Sequence, residues 1–135
     1  MEEPFVLAVD FDGTIVEHKF PKIGNVIGRC IEILKEFQEK YDVQLVLWTS
    51  RCGYELAQAI EFCTAQDLVF SAVNTNVFFT PAYGIPKIIY SAVIDDRSLE
   101  YRLRTNRGNL TPEIWEEIAV QVPELLGVKR APAAQ

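Results

Sequence analysis

The sequence predicts one α/β domain, a three-layer sandwich with a central, mostly parallel sheet. Three observations carry this reading. Short apolar runs alternate with amphipathic segments in the order βαβαβ; several of those runs end in carboxylates or hydroxyls; and 135 residues, 49% of them hydrophobic, suffice for one core but not for two. Strands at this spacing, joined by crossover helices, lie parallel with right-handed connections and helices on both faces.

The first strand is Phe5 to Asp10, a continuous apolar run ending in a carboxylate before a glycine turn. From Val26 to Lys40, Ile27, Cys30, Ile31, Leu34 and Phe37 recur at three and four, which predicts an amphipathic helix entered near Asn25. Val43 to Trp48 is the second strand, and the polar turn from Thr49 to Gly53 follows it. Leu56, Ala59, Ile60 and Cys63 repeat the helical spacing, and Leu68 to Val73 is a third strand. Asn74 to Pro86 has no clear period and reads as a long loop with a short helix at Pro81 to Tyr83. Ile88 to Ile94 is the fourth strand, running into Asp95 and Asp96. Thr111-Pro112-Glu113 opens a last helix, with threonine as cap, proline in the first turn and Ile114, Ile118 and Val122 as buried stripe. Pro123 ends or kinks it. The domain is taken as 1–128, and the polar stretch 129–135 as a flexible tail.

Composition narrows the function. Thirteen basic against nineteen acidic residues give a net charge of −6, which disfavours general nucleic-acid binding. No run reaches the roughly 18 apolar residues of a membrane span. Glu2, Glu3 and Pro4 make a poor secretory start, so the expected location is cytoplasmic. Three cysteines without a CxxC pair indicate neither a disulfide framework nor a cysteine zinc site; Cys30 and Cys63 lie on apolar helix faces.

In an open parallel sheet, ligands bind in the crevice at the carboxyl ends of the strands. Asp10 and Asp12 close the first strand, Thr49 and Ser50 the second, and Asp95 and Asp96 the fourth, with Lys87 at the entrance to that last strand. Converging carboxylates are tolerable chiefly when a cation neutralises them, which implies a hard divalent ion, magnesium (Mg2+). A lysine and a hydroxyl beside that ion complete a pocket for a tetrahedral anion such as phosphate.

Asp10-Phe11-Asp12-Gly13-Thr14 matches DxDGT, and this motif, Thr49, Lys87 and the Asp95-Asp96 pair, in that order, resemble the haloacid dehalogenase-like superfamily of phosphohydrolases. The resemblance implies a Rossmann-like fold and a magnesium-dependent phosphomonoester hydrolase that forms an aspartyl-phosphate. Asp10 would be the nucleophile, and Asp12 the acid that protonates the leaving oxygen and then the base that activates water. Thr49 would hold a phosphoryl oxygen, and Lys87, with Lys22 as the other candidate, would neutralise charge. Gly13 would permit the tight turn, and Thr14, Ser50 and Arg51 would face substrate with it. The metal would be held by Asp10, Asp96, Asp95 through water, and the Asp12 main-chain carbonyl.

The intervals between motifs leave no room for an inserted cap, so the resemblance is to capless members, which act on large substrates or borrow a neighbouring subunit as lid. Both a small phosphate ester and a macromolecular one, and a homo-oligomer, stay open as partners. Carbon–halogen cleavage needs no acid such as Asp12, and phospho-receiver domains place their acidic pair first rather than last. Two other functions remain: an idle phosphate-binding module on the same fold, and a phosphotransferase using the same intermediate. Arg51 and Arg97 either clamp a second anionic group of the substrate or pair with neighbouring acids. Thr49 and Ser50 also read as helix caps, and His18 either touches substrate or is merely exposed. Phe20, Phe78, Phe79 and Tyr83 border the opening, to stack on substrate or to pack locally.

Overall fold

In the computed structural model, which describes residues 4–77 and 90–127, four parallel strands form the central sheet. These are β1 (Val6–Val9), β4 (Gln44–Leu47), β5 (Ala72–Val73) and β6 (Ala92–Ile94), in the order β5-β4-β1-β6. Every residue of β1 is buried, as a central strand of aliphatic residues must be. Its register with β4 pairs Val9 with Leu47 and its register with β6 pairs Val9 with Ile94. The three chain segments that follow these strands therefore leave the sheet at one level. Two more bonds extend the ladder to that edge, from Asp10 N–H to the Ile94 carbonyl at 2.9 Å and from Trp48 N–H to the Val9 carbonyl at 2.8 Å.

Between β1 and the first helix lies an antiparallel hairpin, β2 (Val16–Lys19) with β3 (Lys22–Val26), which the apolar pattern does not announce. It carries a register shift between Val16 and His18, and Phe20-Pro21 form its tip. The expected helix start near Asn25 is thereby corrected, because Asn25 and Val26 belong to β3. Helix α1 runs over Cys30–Tyr41 and buries Cys30, Ile31, Ile33, Leu34 and Phe37. Helix α2 spans Gly53–Thr64.

The third strand is shorter than expected. Leu68 is buried with its N–H on the Cys63 carbonyl, and only Ala72 and Val73 pair with β4. Likewise Tyr90 and Ser91 precede β6 rather than belong to it, while 88–89, the loop segment 78–86 and the tail 129–135 lie outside the described residues. A short helix, α3 (Leu99–Arg104), was not expected, and it buries none of its residues. Helix α4 (Pro112–Leu125) starts as expected, with Thr111 Oγ1 accepting from Ile114 N–H at 3.2 Å. It is not ended by Pro123, which sits within its last turn and there removes one backbone N–H donor from the helix.

The buried stripes of α1, α2 and α4 all join one cluster with Leu7, Val9, Leu45 and Leu47, with Trp115 among its largest fully buried side chains. On the opposite face Val6 and Val46 form a separate small cluster with Ala72 and Val77. No described helix contributes a buried residue to it, so the described residues show a helical layer on one face where two were expected. None of the described helices is long and apolar enough to cross a membrane.

Candidate active site

The carboxyl edge of the sheet is where β1, β4 and β6 release their chains, and the acidic residues gather there. Asp10, Asp95 and Asp96 each present a carboxylate oxygen, and these oxygens all lie within 4.8 Å of one another. Such crowding disfavours ionisation. Burial, then a hydrogen bond with Asp96 and the charges of Asp95 and Asp96, push the Asp10 carboxyl up to about 8, with the Thr14 hydroxyl opposing them. Asp95 is also raised, first by burial, although the Arg97 N–H on its Oδ1 at 2.9 Å works the other way.

Thr14 is buried among these acids rather than turned to the substrate side, which corrects its expected role. Its Oγ1 donates toward Asp10 Oδ2 at 3.1 Å and Asp96 Oδ1 at 3.3 Å, and accepts from Asp96 N–H at 3.0 Å. One hydroxyl thus ties the end of β1 to the end of β6. The Thr14 carbonyl is held by Trp115 Nε1 at 2.9 Å, so α4 supports the same loop from behind. Gly13 has a φ of +84° and its N–H donates to the Val16 carbonyl at 2.7 Å, so that N–H is not offered to a ligand. A Cβ at this position would stand 2.7 Å from Asp96 Oδ2, which is why the turn beside the carboxylates needs glycine.

Arg51 takes the second of its two expected roles, pairing with a neighbouring acid instead of facing substrate. Its side chain is fully buried and forms a forked pair with Asp12, Nε to Oδ2 at 2.7 Å and Nη2 to Oδ1 at 2.7 Å. The remaining donors go to the carbonyls of Pro21, Glu55 and Lys22. Its guanidinium lies 5.1 Å from the ring centroids of both Phe11 and Phe20. With all its N–H groups spent inside the protein, Arg51 clamps Asp12 and the hairpin tip, not a substrate anion.

Asp12 therefore stands apart from the carboxylate trio, yet it lines the same cavity, of about 810 Å3. Asp10, Thr49, Ser50, Asp95 and Asp96 line that cavity too, and so does His18, whose backbone N–H donates to Asn109 Oδ1 at 2.9 Å. Thr49 Oγ1 accepts from Arg51 N–H at 3.1 Å, and the Thr49 N–H donates to Asn74 Oδ1 at 2.8 Å. The alternative Lys22 is tied to the hairpin tip through its carbonyl on Arg51. Lys87 lies outside the described residues. Cys30 and Cys63 are core thiols, pushed up to about 12 by burial.

The cavity-lining residues not singled out by the sequence include Arg102 of α3 and Arg107 in the turn after it. The signal available was a pair of arginines shortly after the acidic pair in an acidic chain.

No family model matches the chain, and no curated protein matches it. Among solved structures it is similar to a conserved protein of Bacteroides thetaiotaomicron, at 36% identity and a TM-score of 0.75, over 90% of this chain and 92% of that one. At that identity and coverage, the chain belongs to the same family as the Bacteroides thetaiotaomicron protein.

Proposed function

We propose that the chain is a magnesium-dependent phosphomonoester hydrolase working through an aspartyl-phosphate on Asp10. The observation that carries this reading is the trio of Asp10, Asp95 and Asp96 beside Asp12 on the wall of a single cavity at the sheet's carboxyl edge. Three mutually repelling carboxylates, one of them held up to about 8, make a donor set that suits a hard divalent ion. Asp10, Asp95 and Asp96 would hold it together with the Asp12 main-chain carbonyl. When bound, magnesium supplies positive charge for the phosphoryl oxygens and keeps Asp10 ionised.

The residues of this chain do the rest. An Asp10 oxygen attacks phosphorus as the ester P–O bond breaks, and Asp12 gives its proton to the departing alkoxide. Asp12 then takes a proton from water as that water attacks phosphorus, the Asp10–phosphorus bond breaks, and inorganic phosphate and a free Asp10 carboxylate result. Arg51 acts as a positioning residue. It uses one lone pair on each Asp12 oxygen and leaves others for the proton transfers. Thr49 and Ser50, which line the same cavity, would donate their hydroxyls to the phosphoryl group.

The test is phosphate release from p-nitrophenyl phosphate by purified protein. The expected result is turnover that requires magnesium and disappears in Asp10→Asn. Turnover that persists in that variant or in excess chelator overturns the proposal.

A further inference from the structure

We infer that the cavity holds a second oxyanion subsite, formed by Arg97, Arg102 and Arg107 on the lining they share with the carboxylates, and that the natural substrate is a phosphomonoester carrying a second phosphate or carboxylate. This inference rests on the phosphohydrolase reading of the same cavity.

The first support is charge placement. In a chain of net charge −6, Arg29, Lys40, Arg51 and Arg104 each have a carboxylate partner. Among the described residues Arg97, Arg102 and Arg107 form no close ion pair, the charge of Arg97 acting on Asp95 from a distance, and all three line the cavity. Helix α3 shows the sorting most plainly: Arg104 pairs with Glu100 and Glu117, whereas Arg102, two residues before it, borders the cavity.

The second support is backbone conformation. Arg107 has a φ of +64° and the preceding Asn106 one of +51°. Asparagine tolerates this region, but arginine rarely occupies it, and such local strain concentrates at ligand sites. The turn is held by reciprocal contacts, the Arg107 N–H on the Arg102 carbonyl at 2.9 Å and Arg102 Nη1 on the Arg107 carbonyl at 3.3 Å.

The third support is size. A volume of about 810 Å3 falls in the range of whole small-molecule sites, roughly 300–1,000 Å3, and exceeds what one phosphoryl group requires. Exposed Phe20 and Trp48 also border the cavity and offer apolar surface to the carbon skeleton between the two anions. Planar guanidinium forks bind phosphate and carboxylate alike.

Matched pairs test this: glycerol 3-phosphate against 3-phosphoglycerate for a carboxylate, and fructose 6-phosphate against fructose 1,6-bisphosphate for a phosphate. At least one doubly anionic member is expected to show a kcat/KM tenfold or more above its partner, carried mainly by KM. In Arg102→Gln and Arg107→Gln that ratio should fall toward one, with Arg107→Lys intermediate; Arg107 is exposed, so its variants fold. Turnover of the singly anionic members with no preference in either pair overturns this inference and leaves the phosphohydrolase reading intact. If no phosphate ester is turned over, calorimetric titration of the wild type with fructose 1,6-bisphosphate and 3-phosphoglycerate decides: binding lost in Arg102→Gln supports the subsite, and no binding, or binding indifferent to the arginines, overturns it.

Discussion

Asp10→Asn should make the metal-free protein more stable, and increasingly so as pH rises. In the folded wild type the Asp10 carboxyl titrates near 8 instead of the ordinary 3.8, mainly through burial and then through Asp96 and Asp95. Between those values the folded state keeps a proton that the unfolded chain has released. The stability this contributes is complete below the lower value and is lost as pH climbs through the upper one. Each pH unit in that window removes about 1.4 kcal/mol from a group that responds fully. The whole window then removes at most roughly 5 kcal/mol, because Asp95 shares the response. An asparagine amide has no proton to lose. Thermal unfolding in chelator from pH 5 to pH 8 should show the variant gaining on the wild type throughout, by roughly 10 °C or more at the alkaline end. Magnesium at about 100 times its dissociation constant should return about 2.7 kcal/mol to the wild type and close much of that gap. A difference in melting temperature that stays flat with pH would refute the electrostatic account of the trio.

Arg51→Met should cost roughly 3–5 kcal/mol in urea unfolding, since it strands the largely buried Asp12 carboxylate and removes the clamp on the hairpin tip; a loss below about 1 kcal/mol would mean the forked pair is incidental. Gly13→Ala should weaken magnesium binding at least tenfold by calorimetry, because its Cβ would meet Asp96 Oδ2 at 2.7 Å from a backbone at φ +84°. Unchanged affinity would show that Asp96 is not held against that turn.

The elements legible from sequence are those whose burial is one-sided or complete. β1, β4, α1, α2 and α4 each carry a run or stripe of apolar residues long enough to show a period, and each lies close to its expected place. The hairpin and α3 have no such stripe. In β2 only Val16 is buried, and β3 has no buried residue, so neither strand alternates clearly and Val26 joins by default to the helical pattern after it. In α3 the apolar residues Leu99 and Leu103 are 78% and 76% exposed, which removes the periodic signal on which a helix reading depends. The edge strand β5 is misjudged in length for a related reason: Leu68 is apolar because it packs under α2, not because it pairs with β4.

The same distinction governs the site. Asp10, Asp12, Asp95 and Asp96 are visible because a charge at the end of an apolar run has few reasons to be there, and strand ends converge by the topology of a parallel sheet. Thr14 and Arg51 are different, because what they do depends on partners distant in sequence: Thr14 on Asp96, 82 residues away, and Arg51 on Asp12, 39 residues away. A single sequence leaves Arg51 equally suited to a substrate anion or to an internal acid. The register of β1 with β4 brings the turn after β4 beside the DxDGT loop, and five short donor contacts then commit the guanidinium. With Arg51 committed inward, the cation for a second substrate anion must come from elsewhere. The arginines that line the cavity without a close ion pair among the described residues are Arg97, Arg102 and Arg107, so displacing one candidate is what brings the other three forward.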